Sequence, residues 1–313
     1  CYRWVTSLLA MDLRQLNALL AVAEHGGFSA AARALHTVQS NISTHVARLE
    51  RELGTALVER STGELTEAGE VVVARARQIQ AELAAITADV TSTLGEIAGH
   101  VRLGVIGTTG RWLVPALLTA LGEAYPRIRL VTIDATTTSL LPQLASGLLD
   151  LAVVNLPASD PDVDVEALFE EDHVVLAPVG HPLAAHDRLG LTDLAHVPLL
   201  LEPAGTGFRD HLDADAHRAG VVLESQAEVD GMRLLASLAY QGFGAALLPA
   251  SAVVDWTDGS WRAIPLDGTT RRGVGLALPR RGRQSAPARA TVEVLRDVVA
   301  REVPSLPGLH LLA

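Results

Sequence analysis

Near residue 95 the apolar residues of this chain stop recurring at helical spacing and begin to occur in short strand-like runs. That change of period calls for at least two units built on different architectures. Upstream, Leu13, Leu16, Leu19, Leu20 and Ala23 step by three and four, which predicts an amphipathic helix over 12–24, stopped by Gly26-Gly27. Ser29 is the expected N-cap of a short Ala-rich helix running to Leu35. His36-Thr37-Val38 then make a tight connection to a third helix, from near Gln39 to Leu53, with Ile42, Val46 and Leu49 facing inward and Gly54 ending it. A short helix, a turn and a second helix form a helix-turn-helix, a pattern that many helical hairpins share.

The next forty residues narrow the choice. The segment from Ala56 to Leu65 holds a Thr62-Gly63 turn between short strand candidates, the shape of a wing. Thr66 is placed to cap a helix from Glu67 to about Leu94. Along that helix Val72, Ala76, Ile79, Leu83, Ile86 and Val90 form a heptad seam, with Arg75, Arg77, Glu82 and Asp89 off it. So narrow a stripe is expected to pair two subunits; the rival reading is a helix packed on its own domain.

Beyond a short hinge at 95–99, strand and helix patterns alternate. Val101–Ile106, Ile128–Ile133 and Leu149–Val154 read as strands, with helices over Leu113–Ala124 and Ser139–Ser146. A second set runs from Val174–Ala177 through Leu199–Leu201 to a helix near Gly231, and Val274–Leu278 with the helix Ala288–Ala300 closes the pattern. Such alternation predicts a mostly parallel sheet covered by helices.

Charge and composition set limits. No lysine occurs, and arginine supplies all 25 basic residues against 36 acidic ones, a formal net charge of −11 that opposes simple attraction to DNA. The single cysteine, Cys1, excludes a disulfide framework and a multi-thiolate metal site and suits a cytoplasmic location. No apolar run approaches the roughly 18 residues of a membrane helix. Residues 1–10 are expected to be an upstream extension, since Met11 opens the first well-formed segment. An enzyme finds little support: Gly104, Gly107 and Gly110 have the wrong spacing for a dinucleotide fingerprint, and no G-x-S-x-G or H-E-x-x-H occurs. His181 with His186, and His211 with His217, lack metal-ligand spacing, so neither metal nor cofactor is expected.

From about Met11 to Val303 the chain resembles the LysR-type transcriptional regulators. The similarity is densest in LRQLNALLAVAEHGGFSAAARALHTVQSNISTHVARLERELGTALVER and LTEAGE, and continues in GVIGTTGRWLVPALL, AYPRIRL, SGLLDLAVV, GHPLA (Gly180–Ala184) and YQGFGAALLP (240–249). The resemblance implies an N-terminal all-α winged helix-turn-helix over 11–66 and a dimerisation linker helix over 67–95. It further implies an α/β effector domain of periplasmic-binding-protein type over 100–303, with a tail after it. The first subdomain is expected over about 100–158 and 268–303, the second over 159–267. It also implies a homodimer, commonly a tetramer, that binds double-stranded promoter DNA and answers to a small-molecule effector, which the sequence does not identify; helix N-termini lining its cleft would suit a carboxylate. A sensor or partner protein of the same fold that no longer binds DNA is the alternative, with an α/β enzyme a remoter one.

In a recognition helix the N-terminal residues reach the bases, here Gln39, Ser40, Asn41, Ser43 and Thr44. Gln and Asn suit adenine, while Ser and Thr are permissive. Arg33, Arg48 and Arg60 are the expected phosphate contacts. This sequence departs from the family where Val38 replaces a frequent Ser or Thr, where Thr44 replaces a commonly basic residue, and in a wing about two residues short. Over 11–70, five basic residues face eight acidic ones, which predicts weak nonspecific affinity and a shallow salt slope. Around the effector the family motifs place Thr108, Thr109, Thr137, Asn155, Thr206, Gly207 and Phe208; Arg111 and Arg209 are weaker candidates for a countercharge.

Overall fold

The computed structural model describes residues 11–93, 96–253, 259–280, 282 and 284–312, so the expected N-terminal extension lies outside the described residues. The chain divides into two compact units, one holding residues up to Thr87 with Ser146–Leu148, the other Ala88–Ala145 and everything from Leu149.

The first unit is helical: α1 (Leu13–His25), α2 (Phe28–Ala34), α3 (Gln39–Leu53) and α4 (Glu67–Thr93), whose end from Ala88 belongs to the second unit. Asp12 Oδ1 accepts from the Arg14 and Gln15 amides at 2.8 and 2.9 Å, and Gln15 Oε1 accepts from the Asp12 amide, so a capping box starts α1. Gly26, at φ 71°, ends it. Gly27, at φ 139°, then turns the chain straight into α2. α2 therefore begins at Phe28, which puts Ser29 in its first turn instead of at the expected N-cap. Leu19, Leu20, Val46, Leu49 and Leu57 form the core of this unit. The wing contracts to an isolated bridge between Val58 and Leu65, shorter than the two strands the sequence suggests. Thr66 Oγ1 accepts from the Gly69 amide at 3.0 Å, as expected of a cap, and donates to the Ala56 carbonyl at 2.8 Å.

The second unit begins with β1 (Gly99–Val105), α5 (Gly107–Ala124), β2 (Ile128–Asp134), α6 (Thr137–Ala145), β3 (Leu151–Asn155) and β4 (Val163–Glu171). It continues through β5 (His173–Pro178), β6 (Leu189–Gly190), β7 (Pro198–Leu201), α7 (Gly207–Arg218), β8 (Glu224–Glu228), α8 (Met232–Tyr240) and β9 (Ala245–Pro249). It closes with β10 (Trp261–Asp267), β11 (Arg272–Pro279), α9 (Ala286–Glu302) and β12 (Leu309–Leu311). Two six-stranded sheets result, ordered β12-β4-β11-β3-β1-β2 and β6-β10-β5-β9-β7-β8.

Both sheets are mixed. β1 pairs in parallel with β2 and β3, and β7 with β8 and β9 and β10 with β6, but β11 runs antiparallel to β3 and β4, and β5 antiparallel to β9 and β10. The reason is topological: the chain leaves the first sheet along β4 into β5 and returns along β10 into β11, and strands that cross and come back must oppose one another. The same crossing moves the subdomain boundary. β4 pairs with β11 in the first sheet, so the switch falls at Asp172 and not at 159. Within the expected tail, β12 pairs antiparallel with β4 and covers that edge.

Candidate DNA-binding and ligand-binding sites

On α3, Ile42, Val46 and Leu49 are buried and fix the helix against α1 and α2, leaving the opposite side to solvent. Gln39, Ser40, Asn41, Thr44 and Arg48 lie exposed and Ser43 half-buried on that side. Several are engaged already. Ser29 Oγ donates to Gln39 Oε1 at 3.0 Å, Asn41 Nδ2 donates to Thr37 Oγ1 at 3.0 Å, and Thr44 Oγ1 donates to the Ser40 carbonyl at 2.7 Å. Of the three arginines, Arg60 is committed: its Nη2 lies 2.5 Å from Glu50 Oε2, and its guanidinium sits 5.7 Å above the Phe28 ring. Glu50 Oε1 also accepts the Leu57 and Val58 amides, so this pair fastens the wing to α3. Arg33 and Arg48 are exposed, with no ion pair among the described residues. On α4, Val72 and Ala76 turn into the core of their own unit, while Ile79, Leu83, Ile86 and Val90 stay 41%, 42%, 60% and 57% exposed. The seam therefore divides between the two readings, its last four residues forming an uncovered apolar stripe.

In the second unit the sequence motifs converge on helix starts. α5 begins at Gly107, so Thr108 and Thr109 sit in its first turn, both buried, and not in a loop ahead of it. No side chain caps this end. Thr109 Oγ1 is buried without a hydrogen-bond partner, and so is Asn155 Oδ1. Thr137 starts α6, and its Oγ1 accepts from the Asn155 amide at 2.9 Å. Thr206 caps α7, accepting from the Arg209 amide at 3.4 Å and donating to the Pro203 carbonyl at 3.0 Å. Gly207 opens α7, and the Phe208 ring meets His173 edge-on at 5.3 Å. Arg209 is buried and tied to Asp213, Glu228 and the Glu202 carbonyl, while Arg111 reaches the Ala252 carbonyl at 3.3 Å.

Sequence reasoning missed the charges at the crossing strands. Arg272 Nε donates to Glu171 Oε1 at 2.8 Å, and Arg272 Nη2 donates to Thr108 Oγ1 at 2.9 Å. Glu171 Oε2 accepts the Ser251 amide at 2.9 Å. A buried ion pair thus locks the two crossings together and holds the first turn of α5. Next to it, Asp172 accepts from Arg271 Nε at 2.8 Å and lies 2.8 Å from His310 on β12; these neighbours hold its carboxyl below the usual range despite the opposing effect of burial. The signal was present as paired charges at 170–172 and 271–272 bordering apolar strands. Asp134, at the end of β2, pairs with Arg233 of α8 at 2.5 Å, and a Cβ on Gly107 would lie 3.0 Å from Asp134 Oδ1 and 3.2 Å from Arg233 Nε. The gap over α5 is thus bridged by a carboxylate and a guanidinium. Burial also pushes the Glu202 carboxyl up, although the Thr206 hydrogen bond opposes the rise.

His173 gives a pH dependence. Burial, reinforced by the Arg272 guanidinium, lowers its imidazole from the ordinary 6.5 to about 4, so the folded chain keeps it neutral where the unfolded chain takes up a proton. Its contribution is complete above about pH 6.5 and is lost as the pH falls toward 4, on the order of 3 kcal/mol in all. Urea unfolding of wild type and His173→Asn at pH 7 and pH 4.5 should show a smaller acid loss in the variant. Equal losses would remove His173 as the cause.

A helical unit with an exposed N-terminal helix face, joined in sequence to a ligand-type domain of two sheets with crossing strands, defines a class: ligand-responsive, DNA-binding regulators. Comparison with known proteins places the chain within it. The family described as bacterial regulatory helix-turn-helix protein, lysR family, matches residues 13–70, and the LysR substrate binding domain matches residues 94–300. The chain belongs to the LysR family of transcriptional regulators, which are not enzymes. It is 35% identical over 304 residues to a probable hydrogen peroxide-inducible genes activator of Streptomyces viridosporus, covering 93% of this chain and 97% of that protein. To the DNA-binding transcriptional dual regulator OxyR of Escherichia coli K12 it is 30% identical over 294 residues, covering 92% and 95%. Among solved structures, a full-length OxyR variant from Pseudomonas aeruginosa matches with a TM-score of 0.72 and 28% identity, covering 93% of this chain and 95% of that one. Full-length CbnR complexed with its target DNA matches with a TM-score of 0.68 and 26% identity, covering 92% and 100%. No described helix is long and apolar enough to cross a membrane, and no group of three His, Cys, Asp or Glu side chains among the described residues could hold a metal.

Proposed function

We propose that the chain works in the cytoplasm as a homodimer, assembling further into a tetramer. It binds promoter DNA through Gln39, Ser40, Asn41, Ser43 and Thr44, with phosphate contacts from Arg33 and Arg48. Arg60 serves mainly to hold the wing, because Glu50 already neutralises it. The stripe of Ile79, Leu83, Ile86 and Val90 forms the pairing surface. A small ligand with a carboxylate or similar anion binds over the first turn of α5, touching Thr108, Thr109, Thr137 and Asn155. Thr206, Gly207 and Phe208 face it from α7. The observation that carries this reading is the buried Thr109 Oγ1, a hydroxyl without a partner in the uncapped first turn of α5; Asn155 Oδ1, also unpartnered, only accepts and so calls for an N–H or O–H group on the same ligand. A buried polar atom left unsatisfied is costly, and a ligand would satisfy it.

Relatives named for hydrogen peroxide induction raise a second response, oxidation. The only cysteine here is Cys1, so a single chain cannot close a disulfide. We therefore assign the response to reversible ligand binding. Gel shifts on upstream intergenic DNA, with and without hydrogen peroxide and across a panel of small carboxylates, test this. The expected result is unchanged affinity in peroxide, a shift of about 5–150-fold with a matching carboxylate, and a shallow dependence on salt. A peroxide-induced shift reversed by dithiothreitol would defeat the assignment, and no shift at low salt with folded dimer would defeat the DNA-binding reading.

A further inference from the structure

Val38 occupies the N-cap of α3 without any side-chain cap, and it is 60% exposed. Apolar residues are the poorest choices at an N-cap, because the site wants an oxygen that accepts from the helix's first amides. Nothing among the described residues compensates: the Val38 side chain is absent from the core of its unit, and Leu35, three residues before it, is also 46% exposed. A local rule broken without internal gain points to a surface made for something else. The polar neighbours sharpen the point. Gln39, Asn41 and Thr44 each already use one side-chain atom on Ser29, Thr37 and the Ser40 carbonyl, so their capacity to read bases is reduced. Val38 stands at the same helix end, which in a helix-turn-helix enters the major groove. The apolar feature on a base edge there is the C5-methyl group of thymine. We infer that Val38 is a specificity-determining residue, reading one thymine methyl in each half-site by apolar contact.

The inference rests on the reading of α3 as the recognition helix, and the test separates the two. A duplex library with a randomised core is selected on the full-length chain, and the best site is resynthesised with each thymidine replaced singly by deoxyuridine, which removes the methyl and nothing else. One position in each half-site is expected to lose about 5-fold in affinity with the wild type. Val38→Ser, an exposed substitution that restores a capping oxygen, should bind the thymidine and deoxyuridine sites equally. A selected site indifferent to every such replacement, or a Val38→Ser protein that keeps the wild-type sensitivity, overturns the inference while leaving α3 as the reader. Failure of the selection to enrich any sequence overturns both.

Discussion

Replacing Arg272 by Met is expected to destabilise the C-terminal unit by about 3–5 kcal/mol, because it strands a charge where water cannot reach. Glu171 is fully buried, and its carboxylate is neutralised by Arg272 and further held by the Ser251 amide. Removing both charges together, as Glu171→Leu with Arg272→Met, should recover most of that loss, since a buried pair need not outdo an apolar packing of similar volume. Trp112 and Trp261 lie in this unit, so fluorescence during urea unfolding of the full chain reads it out. If the double variant is as unstable as Arg272→Met, the ion pair is not the source of the effect. The double variant should also loosen the hold on the Thr108 hydroxyl, and ligand affinity would then fall even where stability returns.

The second large effect concerns α4. Leu83 and Ile86 are changed to Glu, both exposed here and both off the core of their own unit. Each such side chain contributes about 1.5–3 kcal/mol when fully buried, and a two-fold interface counts every substitution twice. Sedimentation should show a folded monomer in place of a dimer. Affinity for a two-half-site operator should fall by at least about 100-fold, the loss expected when two linked contacts become one. Val72 and Ala76 are poor choices for this test, because Ala76 lies in the core of the first unit and Val72 packs against it, so substituting them would disturb that unit's own packing. A dimer that persists at micromolar concentration would place the pairing surface elsewhere.

The helical half was open to reading because its contacts are local. Ile42, Val46 and Leu49 declare one face of α3 by spacing alone, and Gly26 and Gly54 mark helix ends through a backbone conformation that glycine favours. The start of α2 escaped because a glycine with positive φ can replace a side-chain cap, and spacing does not reveal which will occur. In the second half the strands β1, β2, β3, β5, β7 and β11 were visible as apolar runs, but their direction was not, and polar or half-exposed strands such as β4 and β8 left no such run. Whether β4 pairs with β11 is decided by residues about a hundred positions away, so the mixed sheets and the edge strand at 309–311 had no local signature. The same distance hid the site. Thr108 could be found from its motif, but the guanidinium that holds it comes from position 272.

The crossing strands also set an order on synthesis. The first sheet has β11 between β3 and β4, and β12 at its edge, so it cannot be completed until β12 has left the ribosome. The helices α1 to α4 lie in the first third of the chain and can form while the rest is still being made, with Ser146–Leu148 joining that unit later. On the DNA and pairing surfaces proposed above, a message broken after β10 would yield a product expected to occupy promoters and pair with intact subunits, yet deaf to any ligand. For such a gene, premature termination is not merely loss of a protein; it creates a competitor.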